Sequence, residues 1–597
     1  MGPSWVGRNT APAVSTRVFR AAGAFAFCFA TFACLPSISF AQQALERNLP
    51  AQVERSGNPL SIGATDYGKA DDTPLGMSVR GIRLIGRTDK VAPAVGGISF
   101  GDVPDIDRSS VSRALSPFLG KPMTRALIAR LQAEIAAVWR SAGYPFVSVT
   151  LPPQEVTAGI LSLRVIEFRA GEIRTNPEAS AHNQSLPTRL RVKSGDRIEA
   201  EGLREDLDWI NRNPYRRVQG IFAPGDDQGT SDITLSVTEQ KPFSVFGAWS
   251  NTGSEATGEE RWSIGGGAWL PWLNDATVTY RFTRSEDFWQ NGHIFSLDDD
   301  KGSYLSHAAR LDLPTWSRQA ISIAPNYVET NELAGPFSFR NRTFELPILY
   351  RTAVSNIVPG AYWGDLYVGA EPKWVSRETA FFGTKVADAD VALVNFVLGW
   401  ADDWTDPYGA TSLDIRLKGN PGGILDGNSR ADWNAFTGGR VTDNTYLHTS
   451  FDISRTTVLP HDFAWVAQVS GLIAGQALPD TERLGLGGFY SVRGYGTDDG
   501  SVDTGFVWRN ELRLPALHPL QQAGLTDTLS PFLFADLGHG YDFAAKEDVT
   551  IAGAGIGLDY DIATNFSANL IAAVALADAD ETSAGDWDFK ASLRVSY

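Results

Sequence analysis

L-G-L-G-G-F-Y-S-V-R-G-Y-G-T-D-D-G-S-V-D-T-G-F-V-W-R-N-E-L-R-L, residues 484–514, is the stretch on which the reading of this chain turns. A lone arginine, Arg493, sits in a glycine-dense loop (Gly485, Gly487, Gly488, Gly494, Gly496) between two strand-like runs. A solvated hairpin tip would explain Arg493 by itself. It would not explain Phe489, Tyr490, Val492 and Tyr495, which a wholly exposed loop has no need to carry. A loop folded back among other parts of the protein would bury Arg493, and an unpaired buried charge is costly. The nearest candidate partner lies further on, in Phe534-Ala535-Asp536-Leu537-Gly538. Strand period two puts Phe532, Phe534, Asp536 and Gly538 on one face and the wholly apolar Leu533, Ala535 and Leu537 on the other.

That alternation continues on both sides. From about Lys241 to Tyr597 helical periodicity is absent. Short alternating segments separated by Gly, Asp, Asn and Pro turns follow one another, the pattern of a transmembrane β-barrel. The last is the clearest: Phe589, Ala591, Leu593, Val595 and Tyr597 alternate with Asp588, Lys590, Ser592, Arg594 and Ser596. Richness in Gly, Trp, Phe and Tyr with only 3 Met fits such a barrel. No uncharged apolar run after the N-terminus reaches the roughly 20 residues of a membrane helix. In a barrel, Asp536 faces the lumen with Phe534 as a platform, and Gly538 leaves room for a close backbone approach.

The N-terminus reads as a secretory leader, 1–41. Arg8, Arg17 and Arg20 precede or flank an apolar run, no acid is present, and Ser39-Phe40-Ala41 offers small residues at a cleavage site. Cleavage before Cys34 as a lipoprotein is the alternative, though Thr31-Phe32-Ala33 lacks the usual leucine. Cys28 and Cys34 are the only cysteines and both lie in the leader, so the mature chain has no disulfide and no cysteine-held metal. Losing three arginines takes the formal charge from −17 to −20, which argues against nucleic acid as a partner. An amphipathic segment with a linker (42–76) leads into two βααββ units, 77–168 and 169–240. In the first, 78–86 is a strand and 109–118 a short helix. A strong helix at 124–142 is capped by Thr124, buries Leu127, Ile128, Leu131, Ile135, Val138 and Trp139 on one face, and ends at Gly143. Strands at 146–151 and 160–168 follow. The second unit has a strand at 171–175, helices at 185–192 and 199–211, and strands at 218–223 and 232–239.

Val492-Arg493-Gly494-Tyr495, followed by Arg509-Asn510-Glu511-Leu512 and by Phe534, Asp536 and Gly538, resembles the two-partner secretion transporters (TpsB, the haemolysin secretion/activation family). Gly143-Tyr144, 211–214 and Pro224-Gly225 resemble landmarks of that family's POTRA domains, and Asn420-Pro421-Gly422-Gly423 also fits its wording. The resemblance implies α+β periplasmic POTRA domains (77–168 and 169–240), then an antiparallel β-barrel (241–597) in the outer membrane of a Gram-negative bacterium. It favours 16 strands, where alternation alone allows 14 or 18. It implies that Asp536 pairs with Arg493 to pin the loop in the lumen. It implies a secreted TpsA-type exoprotein as client, bound somewhere in the POTRA region, with lipid and the barrel-assembly machinery as further partners. No ATP, no cofactor and no catalytic residue would be involved. A barrel-assembly insertase is the alternative, and a passive porin or adhesin a more distant one. Other motifs carry no chemistry. Asp298-Asp299-Asp300 lacks the spaced ligands of a calcium loop. Gly553-Ala554-Gly555-Ile556-Gly557 lies in an alternating strand with no helix after it. The 7 histidines form no metal-binding motif.

Overall fold

A computed structural model describes residues 71–597 apart from 92–95, 104–105, 145, 157, 228, 287–291, 293 and 298–300. The leader, most of the segment 42–76 and Asp298-Asp299-Asp300 therefore lie outside the described residues.

The first small sheet has the order Gly97–Phe100, Gly81–Ile85, Ile160–Glu167, Val147–Thr150. The first three run parallel and the last antiparallel. Helix Arg125–Ser141 begins where Thr124 Oγ1 accepts the Leu127 N–H at 2.9 Å. It ends ahead of Gly143, whose φ of 90° few side chains tolerate. Leu127, Leu131, Ile135, Ala136 and Trp139 are buried against the sheet, while Ile128 and Val138 pack at the margin. The shorter helix, Arg108–Leu115, is capped by Asp107 and runs into a 3₁₀ turn, Ser116–Phe118. The edge strand Gly97–Phe100 went unread in the sequence. It has four residues and no fully buried one, too short for a period to register.

The second small sheet has three strands, Arg169–Thr175, Thr230–Glu239 and Arg216–Pro224. Helix Ala200–Ile210 packs on it through Leu203, Leu207 and Ile210. The helix expected at 185–192 is instead a 3₁₀ segment, Asn183–Arg189, with Pro187 inside it. Proline lacks the N–H and clashes with the preceding turn, so an α-helix cannot run through it.

Beyond these sheets the chain closes into a barrel, from Phe243–Ser250 round to Trp587–Ser596, which pair with each other. It has sixteen antiparallel strands among the described residues, two of them interrupted. Gln319–Ile323 and Asn326–Ala334 are halves of one strand broken at Pro325, and Phe337–Glu345 and Ile348–Ala353 are halves of the next, broken at Pro347. Pro325, Pro347 and Pro372 form a row across neighbouring strands. Their carbonyls still accept from Ala309, Ala324 and Leu346 (2.9–3.0 Å), so only the donors that proline lacks are lost.

Faces alternate as a barrel in lipid requires. On the final strand Phe589, Leu593, Val595 and Tyr597 are exposed, while Lys590 and Asp588 pair on the inside. Trp272, Trp316 and Trp363 are exposed in the turns at the barrel end that carries the small sheets, as in an interfacial aromatic girdle. The region is not wholly free of helix. Arg430–Phe436 lies in the far-end loop between Gly409–Asn420 and Tyr446–Val458, started by a Ser429/Asp432 capping box and held by buried Trp433. Seven residues are too few for a helical period to show. No helix among the described residues is long and apolar enough to cross a membrane.

Candidate functional site

Residues 474–503 join strands Ala464–Ile473 and Thr504–Arg513 at the far end, and they fold back into the barrel. Leu484–Gly485 pairs with Ser501–Val502 to make a small ribbon. Within it, the Val492 N–H donates to Leu486 O at 2.9 Å. Leu484, Leu486, Val492, Tyr495 and Val502 are all buried, packed with wall residues such as Val391, Leu393 and Ile551. Apolar packing thus holds the loop body, and Arg493 projects from it.

The Arg493 guanidinium meets Asp536 as a fork. Nε donates to Oδ2 at 2.7 Å and Nη2 to Oδ1 at 2.9 Å. The Arg493 and Asp536 side chains are 2% and 0% exposed. Such a bidentate charged pair is strong and directional. The guanidinium also lies 3.8 Å from the Phe534 ring centroid, a cation–π contact. Asp536 is on strand Asp527–Asp542, where Phe532, Phe534, Asp536, Gly538 and Gly540 point inward and Leu533 and Ala535 outward.

A second carboxylate was missed. Arg493 Nη1 donates to Glu511 Oε1 at 2.7 Å. Glu511 also accepts from Arg513 Nη2 at 2.8 Å, and Arg513 reaches Asp559 at 2.9 Å. The signal was present in the sequence: Arg509, Glu511 and Arg513 alternate, so one strand face carries three charges that lipid would reject.

Tyr495 does not sit beside this cluster as its place in the motif suggests. Its hydroxyl lies 2.8 Å from Ala552 O and 2.9 Å from Ala577 O, and it accepts the Ala577 N–H at 3.0 Å. Two glycines let the loop approach the wall. Gly494 has φ of 99°. A Cβ on Gly553 would lie 2.0 Å from the Arg493 carbonyl oxygen, nearer than any contact allows, so this glycine serves the approach, while Gly555 and Gly557 make room for the Phe534 and Phe532 rings. Gly538 faces Val492, whose Cγ2 would be 3.0 Å from an added Cβ.

The loop is fastened on the other side of the lumen too. Glu482 at its base pairs with Lys373, which also meets Glu345 at 3.0 Å, and His448 Nε2 lies 3.7 Å from Glu482. Lys373 and Glu345 belong to the seventh and sixth barrel strands and Asp536 to the thirteenth. The loop therefore spans the pore from wall to wall.

The second small sheet is clamped to the turns at its own end of the barrel. Asp275, in the turn before Ala276–Arg284, accepts from Arg189 at 2.8 Å, from Arg216, and from Trp269 Nε1 at 2.6 Å, with His182 Nε2 3.0 Å away. Burial opposes its charge, but Arg216 and Arg189 outweigh this and hold the carboxyl below its ordinary range. Asp206 on helix Ala200–Ile210 accepts from Arg191 at 3.0 Å and from Arg318 of another turn at 2.8 Å. Arg212 pairs with Asp365. These contacts join residues far apart in the chain, and no local pattern reveals them. Among the described residues no cluster could hold a metal ion.

Residues 408–560 match the haemolysin secretion/activation protein family ShlB/FhaC/HecB, and residues 94–167 match the POTRA domain, ShlB-type. The outer membrane transporter CdiB-2 of Burkholderia pseudomallei is 24% identical over 463 residues, covering 71% of this chain and 69% of that protein. The heme/hemopexin transporter protein HuxB of Haemophilus influenzae is 21% identical over 489 residues, covering 78% of this chain and 80% of that protein. The structure of CdiB from Escherichia coli superposes with a TM-score of 0.67 at 16% identity, over 90% of this chain and 94% of that one, and shares its fold. CdiB from Acinetobacter baumannii gives 0.57 at 16% identity. With its POTRA region on the periplasmic side and its closed barrel in the outer membrane, this chain is a homologue of the two-partner secretion transporters of the haemolysin secretion/activation family.

Proposed function

We propose that this protein exports a large exoprotein across the outer membrane, without nucleotide hydrolysis. The observation that carries the reading is the loop fastened across the lumen by Arg493, Asp536 and Glu511. A passive porin needs no such obstacle, whereas a protein exporter needs a pore that stays shut until its client arrives. In this reading the POTRA region, 77–168 and 169–240, captures the unfolded client in the periplasm. Strand addition to a sheet edge would supply main-chain hydrogen bonds there. The client then threads the barrel and folds outside, and that folding supplies the drive. No covalent step is needed. Val492, Gly494 and Tyr495 seat the loop, Arg493 locks it, and Phe534, Asp536 and Gly538 form the receiving wall.

The test is to search the genes beside this one for a large secreted protein and to co-express the candidate with this chain. The parent should deliver it to the medium or cell surface, and Arg493→Ala should cut delivery sharply at normal barrel levels. Delivery that is normal without Arg493 sinks the role of the loop. Failed insertion of other barrels in cells lacking this protein, with exoprotein delivery intact, would favour the insertase instead.

A further inference from the structure

Arginines that point into the lumen keep close company with carboxylates. Arg310, Arg416, Arg493 and Arg513 meet Asp312, Asp414, Asp536 and Asp559 at 2.7–2.9 Å. Two others depart from this rule. Arg281 is on strand Ala276–Arg284 and Arg594 on Trp587–Ser596. Their neighbours Tyr280, Leu593 and Val595 are exposed on the outer wall, which turns both arginines inward. Among the described residues neither has a hydrogen bond or an ion pair. They share an aromatic ring instead. The Arg594 guanidinium carbon lies 3.9 Å from the Phe246 ring centroid, and that of Arg281 lies 5.3 Å from it. Phe246 pairs with Gly265, and Gly265 with Arg281. The ring lies across that glycine, where an added Cβ would be 2.6 Å from Phe246 Cζ.

A ring face attracts a cation by about 0.5–1 kcal/mol where water has access. It does not cancel a second cation beside the first. Two guanidiniums on one ring repel each other, and among the described residues no carboxylate relieves them. Arg281 is partly exposed and Arg594 exposed, so both reach the water of the lumen. The ring also stands beside the inner mouth. Gly267, one inward step nearer that mouth than Gly265, faces the Tyr215 hydroxyl of the second small sheet, 2.5 Å from where a Cβ would stand. Arg216, next in the chain, is gripped by Asp275. On the export reading, a chain handed from that sheet into the pore passes this ring.

We infer that Arg281 and Arg594, spread over Phe246, form a station at the inner mouth that takes carboxylate side chains of the entering client. The inference rests on the export reading above. A guanidinium fork matches a carboxylate in shape and charge. Two forks hold a carboxylate from both sides, while the ring supports its methylene carbons. Lumenal water screens the contact, so each hold is weak and brief. Passage requires this, since a carboxylate held tightly would stop the chain. The station selects acidic over basic segments, because a lysine would add a third cation.

The first probe is a dye-labelled octaglutamate, added to the purified full chain in detergent at low salt. Arg281→Gln combined with Arg594→Gln should weaken its binding about tenfold, and lysine at both positions should restore part of it. Arg174→Gln combined with Arg204→Gln removes two exposed charges from the second small sheet and its helix, and serves as the control for net charge. The second probe is the candidate exoprotein of the export test. Its delivery should slow several-fold in the double glutamine variant at normal barrel levels, and lysine at both positions should recover part of the rate. A photo-crosslinker at Thr279, the next inward residue toward the mouth from Arg281, should capture it during export. Equal octaglutamate binding by the parent and the Arg281/Arg594 variant overturns the station, as does an equal loss in the net-charge control. Unchanged delivery, or crosslinks confined to residues 42–70 of this chain, overturns the client as its occupant. If octaglutamate binding depends on both arginines but the parent delivers no candidate, the export reading has failed, and the assignment to a client fails with it.

Discussion

Two ionic nodes hold this molecule together at different places, and they have opposite composition. In the lumen one cation, Arg493, is shared by two carboxylates, Asp536 and Glu511. At the periplasmic mouth one carboxylate, Asp275, is shared by two arginines, Arg189 and Arg216, with His182 beside them. The lumen node joins a loop to a wall and lies in a pore that, on the export reading proposed above, must open. The mouth node joins a domain to a turn. Arg216 and Asp275 are each 1% exposed there, and nothing about export requires them to part. The lumen lock should therefore be the weaker of the two.

The comparison would break first at Asp275. Asp275→Ala leaves Arg216 buried without its carboxylate, and we expect a loss of about 3–5 kcal/mol in docking of the second small sheet. Limited proteolysis between 169 and 240 reads this directly, and unchanged protection would refute the clamp. Because the Asp275 carboxyl is held below its ordinary range, its contribution is complete at neutral pH and is lost as the pH falls through the lowered value. Docking should thus hold from pH 8 to pH 5 and loosen only below the ordinary aspartate value of about 3.9.

Arg493→Ala comes second, with an expected loss of about 1–3 kcal/mol in loop seating. Lumenal water can reach the freed Asp536 and Glu511, which lessens the effect. Single-channel conductance should rise as the loop leaves its place, and lysine at 493 should restore closure only in part for want of the planar fork. A change larger than that of Asp275→Ala would reverse the ranking of the two nodes. Gly553→Val should follow, at about 1–3 kcal/mol, because the new side chain collides with the Arg493 carbonyl while the ion pair's own groups are untouched. Raised conductance with a heat-modifiable barrel is the expected signature, and a closed pore would show that the loop has another seat. Tyr495→Phe should have the smallest effect, about 1 kcal/mol from a lost hydrogen bond, seen as a slight rise in loop exposure to protease.

Much of the site was legible because strand periodicity is local. The inward set Phe532, Phe534, Asp536 and Gly538 follows from counting by twos, and the same count applied to Arg509, Glu511 and Arg513 would have exposed the second carboxylate. Tyr495 shows the limit of motif reading. Adjacent residues of an irregular loop need not point the same way, and its hydroxyl turned to the carbonyls of Ala552 and Ala577.

By itself the sequence determined the alternation of faces, the helix Arg125–Ser141 with its Thr124 cap, and the class of the fold, since each depends on neighbours within a turn or a strand. Tertiary structure alone decided the grip of Asp275 on Arg189 and Arg216 and the reach of Glu482 to Lys373. Those depend on which distant strands closure brings side by side, and no local period encodes that.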